Sequence, residues 1–128
     1  MAKYLTQEWL DMGLKEAATF PERPGATARM QYVVSGAPEG DISYYQVVEN
    51  GAMQEAKLGI DEEAEFTITI SYDDSVKVQN GELDANAAFM QGRMKVTGNM
   101  GKLMSLMPLT QSSEYKEIQA RISEQTEF

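Results

Sequence analysis

The stretch Ala87-Ala88-Phe89-Met90-Gln91-Gly92-Arg93-Met94-Lys95-Val96-Thr97-Gly98-Asn99-Met100-Gly101-Lys102-Leu103-Met104-Ser105-Leu106-Met107 changes its periodicity twice. Asp84, just upstream, can cap a short helix over Ala85 to Met90, which Gly92 breaks. Arg93 to Thr97 then alternates, with Met94 and Val96 on one face of a strand. From Met100 onward, Met100, Leu103, Met104 and Met107 fall at i, i+3, i+4 and i+7, a single apolar stripe on a helix expected to end at Pro108. Five of the nine methionines lie in this stretch. Methionine is flexible and polarizable, so such a wall serves either as core filler or as the lining of a cavity for an adaptable apolar guest.

Upstream the pattern is different. Thr6 to Phe20 reads as an amphipathic helix capped by Thr6, with Trp9, Leu10, Gly13, Leu14, Ala17 and Phe20 on one face. Pro21-Glu22-Arg23-Pro24-Gly25 ends it. Ala28, Met30, Tyr32 and Val34 alternate along a first strand, and Gly36 to Gly40 turns the chain. Ile42 to Glu49 and Ala52 to Leu58 flank Asn50-Gly51, a two-residue hairpin signal. Phe66, Ile68, Ile70 and Tyr72 then alternate with Thr67, Thr69 and Ser71, which predicts a half-buried antiparallel strand with one wet face. Asp73 or Asp74 can cap a short helix through Val78, and a last helix runs from about Ser112 to Gln125 with Tyr115, Ile118 and Ile122 inward. The order is helix, four strands, two short helices, one strand, two helices. Residues 1–128 therefore read as one α+β domain: a five-stranded, mostly antiparallel sheet with helices over one face.

Composition excludes more than it assigns. The chain has no cysteine and no histidine, which removes disulfides, Cys/His zinc sites, thiol nucleophiles and Ser-His-Asp triads. A net charge of -9 argues against nucleic-acid binding, which needs a basic footprint. The same charge argues against static attachment to an anionic bilayer unless a local basic patch exists. No stretch approaches the roughly 18 apolar residues of a membrane span, so no stable membrane insertion is expected. The first residues are too polar for a signal peptide and the last are not a peroxisomal address, so the cytoplasm is the expected compartment.

No catalytic set emerges. Ser113-Glu114-Tyr115-Lys116 has the Ser-x-x-Lys spacing of penicillin-recognising enzymes but none of their supporting elements, and Ser113 reads better as a helix cap. Gly101-Lys102 lacks the first glycine and the following Ser or Thr of a phosphate loop. Asp61, Glu62, Glu63 and Glu65 read as a solvated turn, not as a cation site. No Asp or Glu sits within an apolar face where burial would tune it as a base. Neither a metal nor a cofactor is expected.

Gly81-Glu82-Leu83 and the run from Ala87 to Met100 resemble the signature region of sterol carrier protein 2 domains. There a short helix leads through an aromatic residue and a glycine into a strand like Gly92-Arg93-Met94-Lys95-Val96-Thr97-Gly98-Asn99, followed by a Met/Leu helix. The Asn50-Gly51 hairpin and the Phe66 to Ile70 strand fit the same pattern. The resemblance implies helices and sheet enclosing an apolar tunnel that binds fatty acids, fatty acyl-CoA, sterols or phospholipids without reacting with them. The C-terminus departs from the eukaryotic carriers in having no peroxisomal address, so a free-standing prokaryotic-type member is expected. Carried onto this chain, it makes Phe89, Met90, Met94, Val96, Met100, Leu103, Met104 and Met107 tunnel or mouth residues, with Tyr32, Phe66, Ile68 and Ile70 as the sheet-side floor. A headgroup would rest near Lys95, Lys102 or Lys116. The expected function is non-catalytic carriage of a lipid. A small cofactor-free enzyme with a carboxylate in an apolar cavity is the alternative, as is an accessory subunit whose cavity is vestigial and whose acidic face meets a partner, such as an enzyme. Oligomeric state is left open.

Overall fold

Twelve elements follow one another in a computed structural model of the chain, which describes residues 2–18, 23–110 and 112–128, apart from the side chains of Asn86, Met107 and Thr110. They are β1 (Ala2–Lys3), α1 (Gln7–Ala17), β2 (Ala28–Ala37), β3 (Gly40–Glu49), β4 (Ala52–Leu58) and β5 (Phe66–Ser71), then α2 (Tyr72–Gln79), α3 (Ala85–Met90), β6 (Met94–Gly98), α4 (Met100–Thr110), α5 (Ser113–Glu124) and β7 (Thr126–Glu127). The expected end of the first helix, at Phe20 and Pro21-Glu22, lies outside the described residues. Side-chain oxygens of Thr6, Ser71, Asp84 and Ser112 accept from the backbone N–H three residues on, opening α1, α2, α3 and α5.

Five strands form one sheet in the order β4-β3-β2-β5-β6. β2, β3 and β4 are antiparallel neighbours, and the hairpin turns on Asn50 (φ 50°) and Gly51 (φ 86°), both left-handed as a tight two-residue turn requires. β5 pairs parallel to β2 and antiparallel to β6. The expectation of a wholly antiparallel β5 is therefore corrected: the chain leaves edge strand β4 and returns to the middle of the sheet, a crossover that sets β5 beside β2 in the same direction. β1 and β7, absent from the sequence reading, form a small parallel pair that ties the two ends of the domain together.

Three boundaries differ from expectation. Tyr72 opens α2 rather than closing β5, because Ser71, not Asp73 or Asp74, supplies the cap; the two aspartates sit in the first turn. Ser112 rather than Ser113 caps α5. α4 continues past Pro108 to Thr110: only one backbone hydrogen bond is lost near the helix end, and the buried Leu109 holds the last turn on the sheet. Among the described residues no helix is long and apolar enough to cross a membrane.

Alternation along the strands puts one face of the sheet under the helices. Val34, Tyr44, Ala56 and Ile70 pack with Trp9 and Leu10 at one end. Ala28, Met30, Val48, Phe66 and Ile68 pack with Leu106 and Leu109 at the other. On the opposite face the β4–β5 crossover is pinned by Gln31, which is buried. Its Nε2 donates to the carbonyls of Tyr44 (3.0 Å) and Gly59 (2.9 Å), while its Oε1 accepts from the N–H of Asp61 (2.8 Å). Asp61 in turn accepts from Arg29 Nε at 2.9 Å and from the N–H of Glu63 at 3.0 Å. Burial works to raise the Asp61 pKa, but these hydrogen bonds and the guanidinium charge together hold it below the ordinary carboxylate value. The acidic turn is thus part of the scaffold.

Gly98 (φ 110°) closes β6 with no room for a side chain: a Cβ there would lie 2.7 Å from Glu65 O and 2.8 Å from Phe66 Cα. Gly98→Ala should destabilise by about 2–4 kcal/mol in urea unfolding, since backbone atoms cannot step aside. For Asp61, a folded pKa below the unfolded one means stability fully present above the ordinary carboxylate range and lost as pH falls through the folded value. The wild-type advantage over Asp61→Asn in urea midpoint should therefore be largest near neutrality and shrink below about pH 4.

Candidate ligand-binding cavity

α1 turns Trp9, Leu10, Gly13 and Ala17 toward the sheet, as the three- and four-residue spacing dictates. Two of these four are small. Beneath them the helix-facing residues Met30 and Tyr32 of β2 and Tyr44, Gln46 and Val48 of β3 form a floor. A register shift between Val47 and Val48 brings Met53 of β4 opposite Val48, at the floor's edge. Leu106 and Leu109 of α4 and Tyr115, Ile118 and Ile122 of α5 complete the roof. The space enclosed is a cavity of ≈ 120 Å³.

Gly13 helps explain the gap. A Cβ added there would lie 3.9 Å from Cδ1 of Ile122, an ordinary contact, so the glycine leaves room between α1 and α5. These two helices are joined beside the cavity. Glu16 accepts from Arg121 Nε at 3.2 Å and from Gln125 Nε2 at 2.9 Å, and β1 and β7 pair just beyond.

The floor is aromatic and uncharged. Tyr32 lies flat on Tyr44, with ring centroids 4.7 Å apart and planes 7° from parallel. Trp9 meets Tyr44 edge-on at 5.6 Å and Tyr4 edge-on at 4.8 Å. The Tyr32 hydroxyl donates to Met30 Sδ at 3.6 Å. Burial pushes the phenols of Tyr32, Tyr44 and Tyr115 up, so all three stay neutral at physiological pH. Gln46, Gln79 and Gln119 add neutral polar edges, and among the described residues no Asp, Glu, Lys or Arg lines the cavity. Such a site can hold an apolar or aromatic body with an occasional hydrogen bond. Among the described residues no carboxylate lines it to act as a base.

The twelve residues singled out from sequence scatter over three environments. Tyr32 lines the cavity. Phe66 and Ile68 are buried in the core beneath α4, and Ile70 in the core beneath α1; Met94, Val96 and Leu103 pack against these clusters without lining the cavity. Phe89, Met90, Met100 and Met104 are exposed at the surface. The Met107 side chain lies outside the described residues. Lys95, Lys102 and Lys116 do not line the cavity either.

Missing from that set were the cavity's α1, β3 and α5 residues. A signal for α1 was present: Gly13 and Ala17, small residues on a stripe led by Trp9 and Leu10, leave space under the helix. Because Gly13 has ordinary helical geometry, Gly13→Ala should stabilise the fold by about 0.5–1 kcal/mol in urea unfolding.

Comparison with known proteins adds to the geometry. Residues 15–111 match the SCP-2 sterol transfer family. Sterol carrier protein 2 of the rabbit, Oryctolagus cuniculus, is 43% identical over 49 residues, covering 38% of this chain and 9% of the relative. The match thus covers only about a tenth of the length of that curated relative. A crystal structure of sterol carrier protein 2 superposes with a TM-score of 0.70 at 16% identity, covering 94% of this chain and 96% of that one. A protein of Thermus thermophilus, described as possibly a sterol carrier protein, superposes with a TM-score of 0.63 at 19% identity, covering 92% and 88%. The fold is therefore that of the sterol carriers, and by the match over residues 15–111 this chain belongs to the SCP-2 sterol transfer family.

Proposed function

We propose that this chain binds a lipid and carries or presents it without making or breaking a bond, the apolar body held between the sheet and α1, α4 and α5. The observation that carries the reading is the cavity over the Tyr32–Tyr44 stack, which among the described residues no charged side chain lines. A carboxylate or phosphate buried there would lose its hydration with no cation to replace it. The ligand's charged head, if it has one, therefore stays at the mouth, and the buried part is neutral. Membership of a family named for sterol transfer supports the same class of ligand.

The energetics suffice. Each buried CH₂ is worth about 0.8 kcal/mol, so a long acyl chain offers roughly 10 kcal/mol before ordering costs. Micromolar affinity needs about 8 kcal/mol. Space is the tighter constraint, because ≈ 120 Å³ falls short of the roughly 300–1,000 Å³ of typical ligand sites. Uptake of a whole lipid then requires the roof to open. α1 and α5 are joined through Glu16, Arg121 and Gln125, so these two helices move together when it does. The enzyme alternative lacks a base at this cavity, since no Asp or Glu lines it among the described residues.

Native mass spectrometry of delipidated protein titrated with a fatty acid, a sterol or a phospholipid tests the reading. One lipid per chain is the expected result with at least one of the three. Failure to take up any of them sinks the proposal. Gly13→Leu should fill part of the cavity and weaken uptake by about tenfold or more while the protein still unfolds cooperatively, because room for several methylenes is lost.

A further inference from the structure

The aromatic floor of the cavity holds hydrogen-bond donors for which the protein supplies no good acceptor. Tyr44 lines the cavity and is only 4% exposed, yet its hydroxyl bonds to none of the described residues. Trp9 lines the cavity beside it, edge-on at 5.6 Å, and its buried indole N–H likewise finds no acceptor among the described residues. Tyr32, stacked on Tyr44, gives its hydroxyl proton to Met30 Sδ at 3.6 Å, and a thioether is a weak acceptor. Burial pushes the Tyr44 phenol well above its ordinary pKa, and the nearby phenols of Tyr4, Tyr32 and Tyr115 oppose its ionisation further. Tyr44 is therefore a protonated donor at physiological pH.

A donor buried without a partner is destabilising, and folded proteins leave few of them. Packing does not explain this one. Phenylalanine would fill the same floor and stack equally well on Tyr32 without burying a hydroxyl. Building on the lipid-binding reading above, we propose that Tyr44 sets the specificity of the cavity. Its hydroxyl donates to a neutral oxygen carried on the buried, apolar part of the lipid. The oxygen is a hydroxyl, a ketone or an ester. A carboxylate or phosphate would accept the same bond, but it would be desolvated with no cation beside it. An oxygen confined to a charged head at the mouth does not reach the floor. The preferred guest is thus a lipid oxygenated on its apolar body, or an uncharged one that enters oxygen first, and a plain hydrocarbon end leaves Tyr44 unanswered.

Titration of the full chain with hexadecanol and with hexadecane, each delivered from cyclodextrin, tests the proposal. Cholestanol and cholestane form a second pair that again differs by one oxygen. Fluorescence of Trp9, the chain's single tryptophan and a lining residue, reports binding. Tyr44→Phe keeps the ring and removes only the hydroxyl. It should weaken binding of the alcohol in at least one pair by about three- to tenfold, the worth of one hydrogen bond, and leave the hydrocarbon unchanged. Its urea midpoint should equal or exceed that of the wild type, because no bond within the protein is lost. The proposal is overturned if the variant binds both members of each pair as the wild type does, as it would if solvent alone answered the hydroxyl. It is also overturned if binding of alcohol and hydrocarbon falls alike. A variant that loses stability or does not fold overturns it too, since the hydroxyl would then be holding the core. In each of these cases uptake by the wild-type chain leaves the lipid-binding reading standing. A wild-type chain that takes up none of the probes loses both.

Discussion

The parallel pairing of β2 with β5 is the constraint on which the rest of the structure depends. Its register sets Met30 beside Phe66, Tyr32 beside Ile68 and Val34 beside Ile70, all on the face that the helices cover. Parallel neighbours cannot be joined by a tight turn. Here the connection is the β3–β4 hairpin and an unpaired crossover over the open face, which Gln31, Arg29 and Asp61 hold in place. With the crossover on one face and the roof helices on the other, the sheet has a single apolar side. A cavity can form only there.

That side is filled unevenly, and the unevenness has a chemical cause. At the two ends of the sheet, branched and aromatic side chains meet helix residues of matching bulk and close the core. Between them, the flat Tyr32–Tyr44 pair and the small Gly13 and Ala17 leave a space that neither layer fills. Aromatic rings on the floor and aliphatic residues on the roof make the space apolar. The surrounding glutamines and phenols make it tolerant of an oxygen atom but not of a charge.

The methionines divide by position. Met30 and Met53 line the cavity, Met94 packs under the helices, and Met90, Met100 and Met104 face outward. The same soft, adaptable side chain thus serves the interior and a border facing solvent.

Local chemistry was legible in the sequence. Thr6, Asp84, Asn50-Gly51 and the alternation from Phe66 to Ile70 mark their elements because each acts within a few residues of itself. Their order was enough to predict an α+β domain with helices over one face. The family resemblance carried by residues 87–100 agrees with the match over residues 15–111. Long-range pairing was not legible. The direction of β5, the β1–β7 tie and the meeting of α1 with α5 depend on partners up to a hundred residues or more away, for which no local periodicity speaks. The outward turn of Met100 and Met104 is the same kind of fact. Helical spacing shows that two residues share a face, but only the packing of Leu106 and Leu109 against the sheet decides which face of α4 is buried. The sequence by itself determined most of the elements and the absence of histidine and cysteine chemistry. Tertiary structure alone decided where the cavity lies and which apolar residues face water, because both arise from contacts between distant segments.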